Sequence, residues 1–142
     1  MSFMGVNLLS VLVAAVASMV IGFLWYSPMA FARSWMNLMG YAPDDKAKQE
    51  EMRKGAGKLY GMTFVGFLVS AFVLAKIIHI STIRTAVHGL HAAFAVWLGF
   101  VTTVQFSNNR FNRKPFQLYL IDTGYQLVCY LAMGAILAAW PR

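Results

Sequence analysis

Four long apolar stretches dominate the pattern of hydrophobic and polar positions along the chain. They lie at roughly 6–26, 59–78, 86–106 and 118–140, and the segments between them are polar or basic. A helix needs about 20 mostly apolar residues to cross the hydrocarbon core of a bilayer. The pattern therefore predicts an all-α, polytopic membrane protein, with four transmembrane helices in a single membrane domain over 1–142.

The segment that follows the first apolar stretch predicts a helix of a different kind. Ser27-Pro28 is a start signal, because serine caps free N–H groups and proline fits the first helical position. Met29, Trp35 and Met36 then recur at helical spacing. This spacing predicts a short amphipathic helix that lies in the membrane interface after the first span.

A second helix is expected in the same loop, so that loop helices occupy 28–54. It begins near Pro43 and contains two i,i+4 ion pairs in the order that favours a helix: Asp44/Lys48 and Glu50/Lys54. The glycines of Gly55–Gly57 predict a hinge between this helix and the second span.

Composition supports the membrane assignment. The chain is 59% hydrophobic and 12% charged, whereas an ordinary soluble domain is about 25% charged. Its one cysteine excludes a disulfide framework. The net charge of +7 does not point to nucleic acid, because no aromatic-and-basic binding module is visible. The lipid bilayer and its anionic headgroups are the expected partners.

The positions of the basic residues predict the orientation. Six basic residues lie between spans one and two and three between spans three and four, so 6 + 3 gives nine, against three on the opposite side. Lysine and arginine accumulate in cytoplasmic loops. Both basic loops are therefore expected in the cytoplasm and both termini outside, in the inner (cytoplasmic) membrane of a bacterium.

Small and polar residues indicate which helix faces pack together, since lipid provides no hydrophobic force between helices. The first span carries small residues four apart: Ser10, Ala14, Ser18 and Gly22. This stripe fits packing within the bundle or self-association. Because four helices from 142 residues enclose a thin interior, a homo-oligomer is expected.

Each later span has a polar stripe on one face of its helical wheel. The members are Tyr60, Thr63 and Ser70 in span two, His88, His91, Thr102 and Gln105 in span three, and Asp122, Tyr125, Gln126 and Cys129 in span four. Stripes that face inward give either a polar interior or a hydrated cavity, and the sequence leaves both open.

Three stretches resemble a known family. They are "IGFLWYSPMAFARSWMNLMG", "WLGFVTTVQFSNNRF" and "LIDTGYQLVCYLAMGAILA". Together they are similar to the small membrane proteins grouped as domain of unknown function 1761, and the likeness extends over nearly the whole chain. The resemblance implies a membrane protein with a handful of helices. It implies no activity and transfers no site residues.

Asp122 is the leading candidate for chemistry, because an ionised carboxylate in apolar surroundings costs several kcal/mol unless it is paired. It is predicted two turns into the last helix. The candidate partners are four basic side chains and two hydroxyls: Arg33, Arg110, Arg113, Lys114, Tyr26 and Tyr60. Asp122 is either a structural brace that pins a loop to the bundle or a proton- or ligand-binding site.

The remaining candidates each have a structural alternative. Trp25 and Tyr26, with Trp35, are interfacial anchors or part of a ligand pocket that includes Asp122, Tyr125, Gln126 and Tyr60. The basic side chains of Arg33, Arg110, Arg113 and Lys114 are expected to contact lipid headgroups. His88 and His91 share a helix face, but no cysteine or acid lies nearby in the sequence to complete a metal site, so no metal is expected.

Two functions remain open. One is a small oligomeric transporter or ligand-binding bundle with an intramembrane carboxylate. The other is a non-catalytic structural or accessory protein that binds lipid or a partner. An enzyme is not expected, because the phosphate-loop, nucleophile-elbow and zinc-protease motifs are absent and a second intramembrane acid is lacking. No cofactor is expected.

Overall fold

The computed structural model describes residues 2–3, 5–27, 30–40 and 46–141. Two short strands, β1 (Ser2–Phe3) and β2 (Val6–Asn7), form an antiparallel pair before the first helix. The helices are α1 (Leu8–Trp25), α2 (Ala32–Leu38), α3 (Lys46–Ile80), α4 (Ala86–Val96), α5 (Thr102–Phe111) and α6 (Phe116–Ala139), with a π-helical turn, Trp97–Val101, between α4 and α5.

Four helical segments are long and apolar enough to cross a membrane. They are Leu8–Trp25, Arg53–Ile80, Ala86–Phe111 and Phe116–Ala139. This confirms the predicted all-α, polytopic membrane protein with four transmembrane helices. The predicted amphipathic helix is α2, which begins at Ala32. The start signals at Pro28 and Pro43, the apolar Met29, and the ion pair Asp44/Lys48 lie outside the described residues.

The prediction of a hinge at Gly55–Gly57 was wrong, because α3 continues through these glycines without a break. A helical glycine costs about 1 kcal/mol relative to alanine, whereas interrupting a helix releases several backbone hydrogen bonds at once. Upstream of the glycines, Glu50 pairs with Arg53 at 3.0 Å, rather than with the predicted Lys54. The loop helix and the second span therefore form one element.

The third span differs from a regular helix at the π-helical turn. A π turn inserts one extra residue, so residues beyond it are rotated by about 100° relative to an unbroken helix. Hydroxyl groups bind carbonyls around the turn: Thr102 donates to Leu98 O at 2.6 Å and Thr103 to Gly99 O at 3.0 Å. The span also extends to Phe111, so Arg110 lies in α5 and not in the predicted loop.

Helix α6 is the centre of the packing, and it contacts α1, α3 and α4. It meets α4 at Gly89 and Gly134, where a Cβ added to Gly89 would clash with the carbonyl oxygen of Gly134. Such close approach needs glycine on both helices. Ser10 and Ser18 of the small-residue stripe are also buried inside the chain, so that face is occupied by internal packing.

Candidate functional site

The end of α1 is fixed to α6 by two aromatic side chains. Trp25 is the last residue of α1, and its indole Nε1 donates to Ile121 O at 3.1 Å. The next residue, Tyr26, donates its hydroxyl to Asp122 Oδ1 at 2.6 Å. A distance of 2.6 Å falls within the range of strong hydrogen bonds to carboxylates. The two contacts place the end of the first span against the second turn of α6.

Tyr26 is therefore the partner of Asp122, among the six that the sequence proposed. Within the described part of the chain Asp122 forms no ion pair. Arg110 instead donates to Asn109 Oδ1 at 2.6 Å and to Lys114 O at 2.9 Å. These bonds hold the guanidinium at the end of α5. A hydroxyl, and not a loop cation, stabilises the carboxyl group.

A cavity of about 610 Å³ lies beside this contact, where α1, α2, α3, α5 and α6 converge. Its walls carry apolar, aromatic and polar side chains: Met19, Gly22, Phe23, Tyr26, Ala32, Trp35, Met36, Tyr60, Thr63, Gln105, Asp122, Tyr125 and Gln126. Thr63, Gln105 and Asp122, from the polar stripes of spans two, three and four, all contribute to this wall. Ligand pockets in proteins typically measure about 300–1,000 Å³.

Aromatic rings fix the shape of this cavity. The Tyr26 ring packs edge-on against Trp35 of α2 and against Tyr125 of α6, with centroid separations of 6.1 and 5.2 Å. Phe23 of α1 also packs against Tyr60 of α3, with a centroid separation of 5.3 Å. Edge-to-face pairs of this kind are favourable in energy beyond the burial of their area. Helix α2 is held over the cavity in this way, with Trp35 and Met36 toward it and Arg33 exposed.

Hydrogen bonding below the cavity joins α1 to α6 a second time. Tyr125 donates its hydroxyl to Ser18 O at 3.2 Å, and Cys129 Sγ lies 3.8 Å from the same oxygen. A Cβ added to Gly22 would lie 2.7 Å from the Tyr125 hydroxyl, so the small residue there makes room for the ring. Tyr125 is buried and its donor is already used.

Most of the predicted site residues come together. Asp122, Gln126, Tyr125, Tyr26 and Tyr60 all line the cavity. Trp25 flanks it, since its ring packs on Phe31 at 4.8 Å and its N–H reaches α6. The headgroup candidates Arg113 and Lys114 lie at the turn between α5 and α6, outside the cavity.

The histidine pair lies elsewhere. His88 Nδ1 is 2.6 Å from Thr85 Oγ1, and the rings of His88 and His91 are 6.3 Å apart between centroids. Neither lines the cavity, although the wheel placed both on one face with Gln105. The π-helical turn explains the difference, because it rotates Gln105 relative to α4. Among the described residues no group of three potential metal ligands occurs.

Two polar contributions were not among the site residues predicted from the sequence, although Gln105 was placed in the polar stripe of span three. Gln105 lines the cavity, and its Oε1 is buried without a hydrogen-bond partner among the described residues. Trp97, at the start of the π-helical turn, donates its Nε1 to Thr123 O at 2.9 Å. Two tryptophans therefore donate to backbone carbonyls that flank Asp122. A tryptophan in the middle of an apolar span was the available signal for the second contact.

A family model described as "Protein of unknown function (DUF1761)" matches residues 9–138. The chain belongs to this family. The match includes α1 from its second residue and nearly all of α6, so every wall of the cavity lies within the family region. It confirms the resemblance seen in the sequence. No curated protein and no solved structure matches the chain.

Proposed function

We propose that this DUF1761 chain is a small-molecule-binding membrane protein of the transporter class, with Asp122 as the polar centre of its site. The observation that carries this proposal is the cavity of about 610 Å³ with a carboxyl group in its wall. A carboxyl group among membrane-spanning helices is costly and marks functional sites more often than other residues do. The volume of the cavity suits a ligand of roughly drug size.

The chemistry of the walls supports a binding site over a packing defect. A cavity that arises from imperfect packing is apolar and small, because protein interiors are close-packed. This one combines an acid, two amides and a threonine hydroxyl with five aromatic rings. Apolar walls with a few polar groups are typical of pockets that orient a small molecule.

The proposal is tested with three compounds of one size and different charge: 4-butylbenzylammonium, 4-butylbenzyl alcohol and 4-butylbenzoate. Each is added to the purified full chain in detergent, and thermal unfolding is followed. A ligand at a hundred times its Kd stabilises by about 2.7 kcal/mol. We expect at least one compound to raise Tm.

The matched variants are Thr63→Trp, which fills the cavity from α3, and Val65→Trp, which lies on the same helix and is exposed outside the cavity. The stabilisation should vanish in the first and persist in the second. If none of the three compounds raises Tm, or if Thr63→Trp responds like the wild type, the cavity is not a binding site.

A second candidate function is that of a structural or accessory membrane protein, in which Asp122 is a brace. The Tyr26–Asp122 hydrogen bond favours it, because that bond joins α1 to α6 without any ligand. The substitution Asp122→Asn separates the two candidate functions. If the protein is a transporter, the variant still assembles but no longer carries the bound compound across the membrane of proteoliposomes. If Asp122 is a brace, the variant has a lower thermal stability and its flux is unchanged.

The wider setting belongs to the same proposal. We place the chain in the inner membrane of a bacterium, with the basic loops in the cytoplasm, the termini outside, and Arg33, Arg110, Arg113 and Lys114 near anionic headgroups. We also propose that the protein is a homo-oligomer. We propose further that it binds its ligand without catalysing a reaction, since a single acid lacks the partner that acid–base chemistry uses. Neither nucleic acid nor a cofactor is needed for this function.

A further inference from the structure

The charge of the cavity wall is one-sided. Asp122 is the one acidic side chain among the described lining residues, and lysine, arginine and histidine are missing from that set. A carboxylate among membrane-spanning helices attracts a cation more strongly than one in bulk water, because the effective dielectric constant around it is lower. An anionic ligand would instead be repelled. The electrostatics therefore favour a cationic ligand.

One hydrogen-bond acceptor in the cavity wall lacks a donor among the described residues. The hydroxyls of Tyr26 and Tyr125 are used, on Asp122 Oδ1 and on Ser18 O. Gln105 Oε1 is buried in the same wall without a donor. A buried acceptor without a partner destabilises the protein, and a ligand with N–H groups would remove that cost. The cavity wall therefore offers an unsatisfied acceptor to a ligand.

The aromatic rings of the wall complete the same picture. Phe23, Tyr26, Trp35, Tyr60 and Tyr125 all contribute to it. The faces of such rings carry partial negative charge and attract ammonium groups. They also offer a large apolar surface to the rest of the molecule. An acid together with several rings is a combination that recognises organic cations.

The cavity is not sealed on the side between α3 and α5. Within the described chain, α3 packs on α1 and α6, and α5 packs on α6 and the π-helical turn, without an extended interface between α3 and α5. Tyr60 and Thr63, on the α3 side, are exposed to the surroundings. Both helices are long and apolar enough to span a membrane, so we expect a ligand that partitions into lipid to enter the cavity from this side.

We infer that the cavity takes a lipophilic organic cation with an N–H donor, whose ammonium group pairs with Asp122 and donates to Gln105 while its hydrocarbon body lies against the aromatic rings. This inference rests on the proposed binding function and adds the ligand class. Gln105 becomes a specificity-determining residue. Its free oxygen distinguishes a primary ammonium from a quaternary one that has no N–H.

The test compares affinities within the charge series and adds 4-butylbenzyltrimethylammonium, which has no N–H group. We expect 4-butylbenzylammonium to bind at least about tenfold more tightly than the alcohol, a difference of about 1.4 kcal/mol. The benzoate should bind weakest. The quaternary compound should bind less tightly than the primary ammonium. In Asp122→Asn the preference for the cation over the alcohol should disappear.

Gln105→Met supplies a second variant that does not depend on the carboxylate. Because it replaces an unsatisfied buried acceptor with an apolar group of similar length, the ligand-free protein should be no less stable than the wild type. The primary and quaternary ammonium compounds should then bind equally. Gln117→Met, on the exposed face at the start of α6, is the control.

The outcomes separate the inference from the proposed function. If the alcohol or the benzoate binds as tightly as the ammonium, the cation assignment is overturned while the binding site remains. Unchanged discrimination between primary and quaternary ammonium in Gln105→Met overturns the assignment of Gln105. A loss of ligand-free stability in that variant shows that the amide is structural. If no compound binds, the proposed function fails as well.

Discussion

The hydrogen bond from Tyr26 to Asp122 gives the sharpest prediction about stability. Tyr26→Phe removes the one hydroxyl that the structure places on this carboxyl group, at 2.6 Å, and leaves the ring contacts in place. Hydrogen bonds to charged groups contribute about 1.5–3 kcal/mol. Because Asp122 also lines a cavity, water can replace part of the lost contact. We therefore expect a loss of about 1.5–2 kcal/mol, at the lower end of that range.

The single cysteine supplies the assay. Cys129 is fully buried, so a thiol-reactive fluorophore labels it when the chain unfolds. For a chain of 142 residues, a loss of 1 kcal/mol in the free energy of unfolding lowers Tm by about 3–4 °C. Tyr26→Phe should thus lower the Tm of the purified protein by roughly 5–8 °C.

Two matched variants bracket this value. Tyr130→Phe removes a partly buried hydroxyl that makes no hydrogen bond within the described chain, and should change Tm little. Tyr119→Phe removes a neutral bond to Thr102 O at 3.1 Å, and should cost about 1 kcal/mol. A loss in Tyr26→Phe no larger than that in Tyr130→Phe would refute the reasoning.

A double-mutant cycle tests the pair itself. If Tyr26 acts through Asp122, then Tyr26→Phe should cost much less in an Asp122→Ala background than in the wild type. Additive losses, with a coupling energy near zero, would show that the two side chains stabilise the protein independently and that the contact is not the source of the effect.

Two other predictions concern packing and orientation. Gly89→Ala should destabilise the protein by at least about 2 kcal/mol, because the new Cβ meets the backbone of Gly134 and the helices must separate. Gly99→Ala is the control, because its new Cβ meets open space, and it should be nearly neutral. Equal effects of the two substitutions would contradict the close crossing of α4 and α6. In a Cys129→Ala background, Arg113→Cys should be labelled by a membrane-impermeant thiol reagent in inverted but not right-side-out vesicles, and the opposite pattern would reverse the proposed orientation.

Much of the architecture follows from the sequence alone. Apolar length determines where the chain can cross a bilayer, because unpaired backbone groups are not tolerated in hydrocarbon and helices satisfy them locally. The identity of Asp122, Tyr26, Tyr125, Gln126 and Tyr60 as candidate residues came from the same source, since polar groups stand out in apolar spans. The resemblance to the DUF1761 family could also be recognised from short stretches of sequence alone.

Other features depended on tertiary structure. Whether Asp122 pairs with an arginine or a tyrosine depends on where α1 ends relative to α6, and the 96 positions that separate Tyr26 from Asp122 leave no trace in local periodicity. Gln105 reaches the cavity beyond an irregular turn that rotates the helix, and a regular wheel misplaces it. Local sequence therefore determined the helices and their polar groups, whereas the cavity was decided by how the helices pack, because its walls are contributed by five of them.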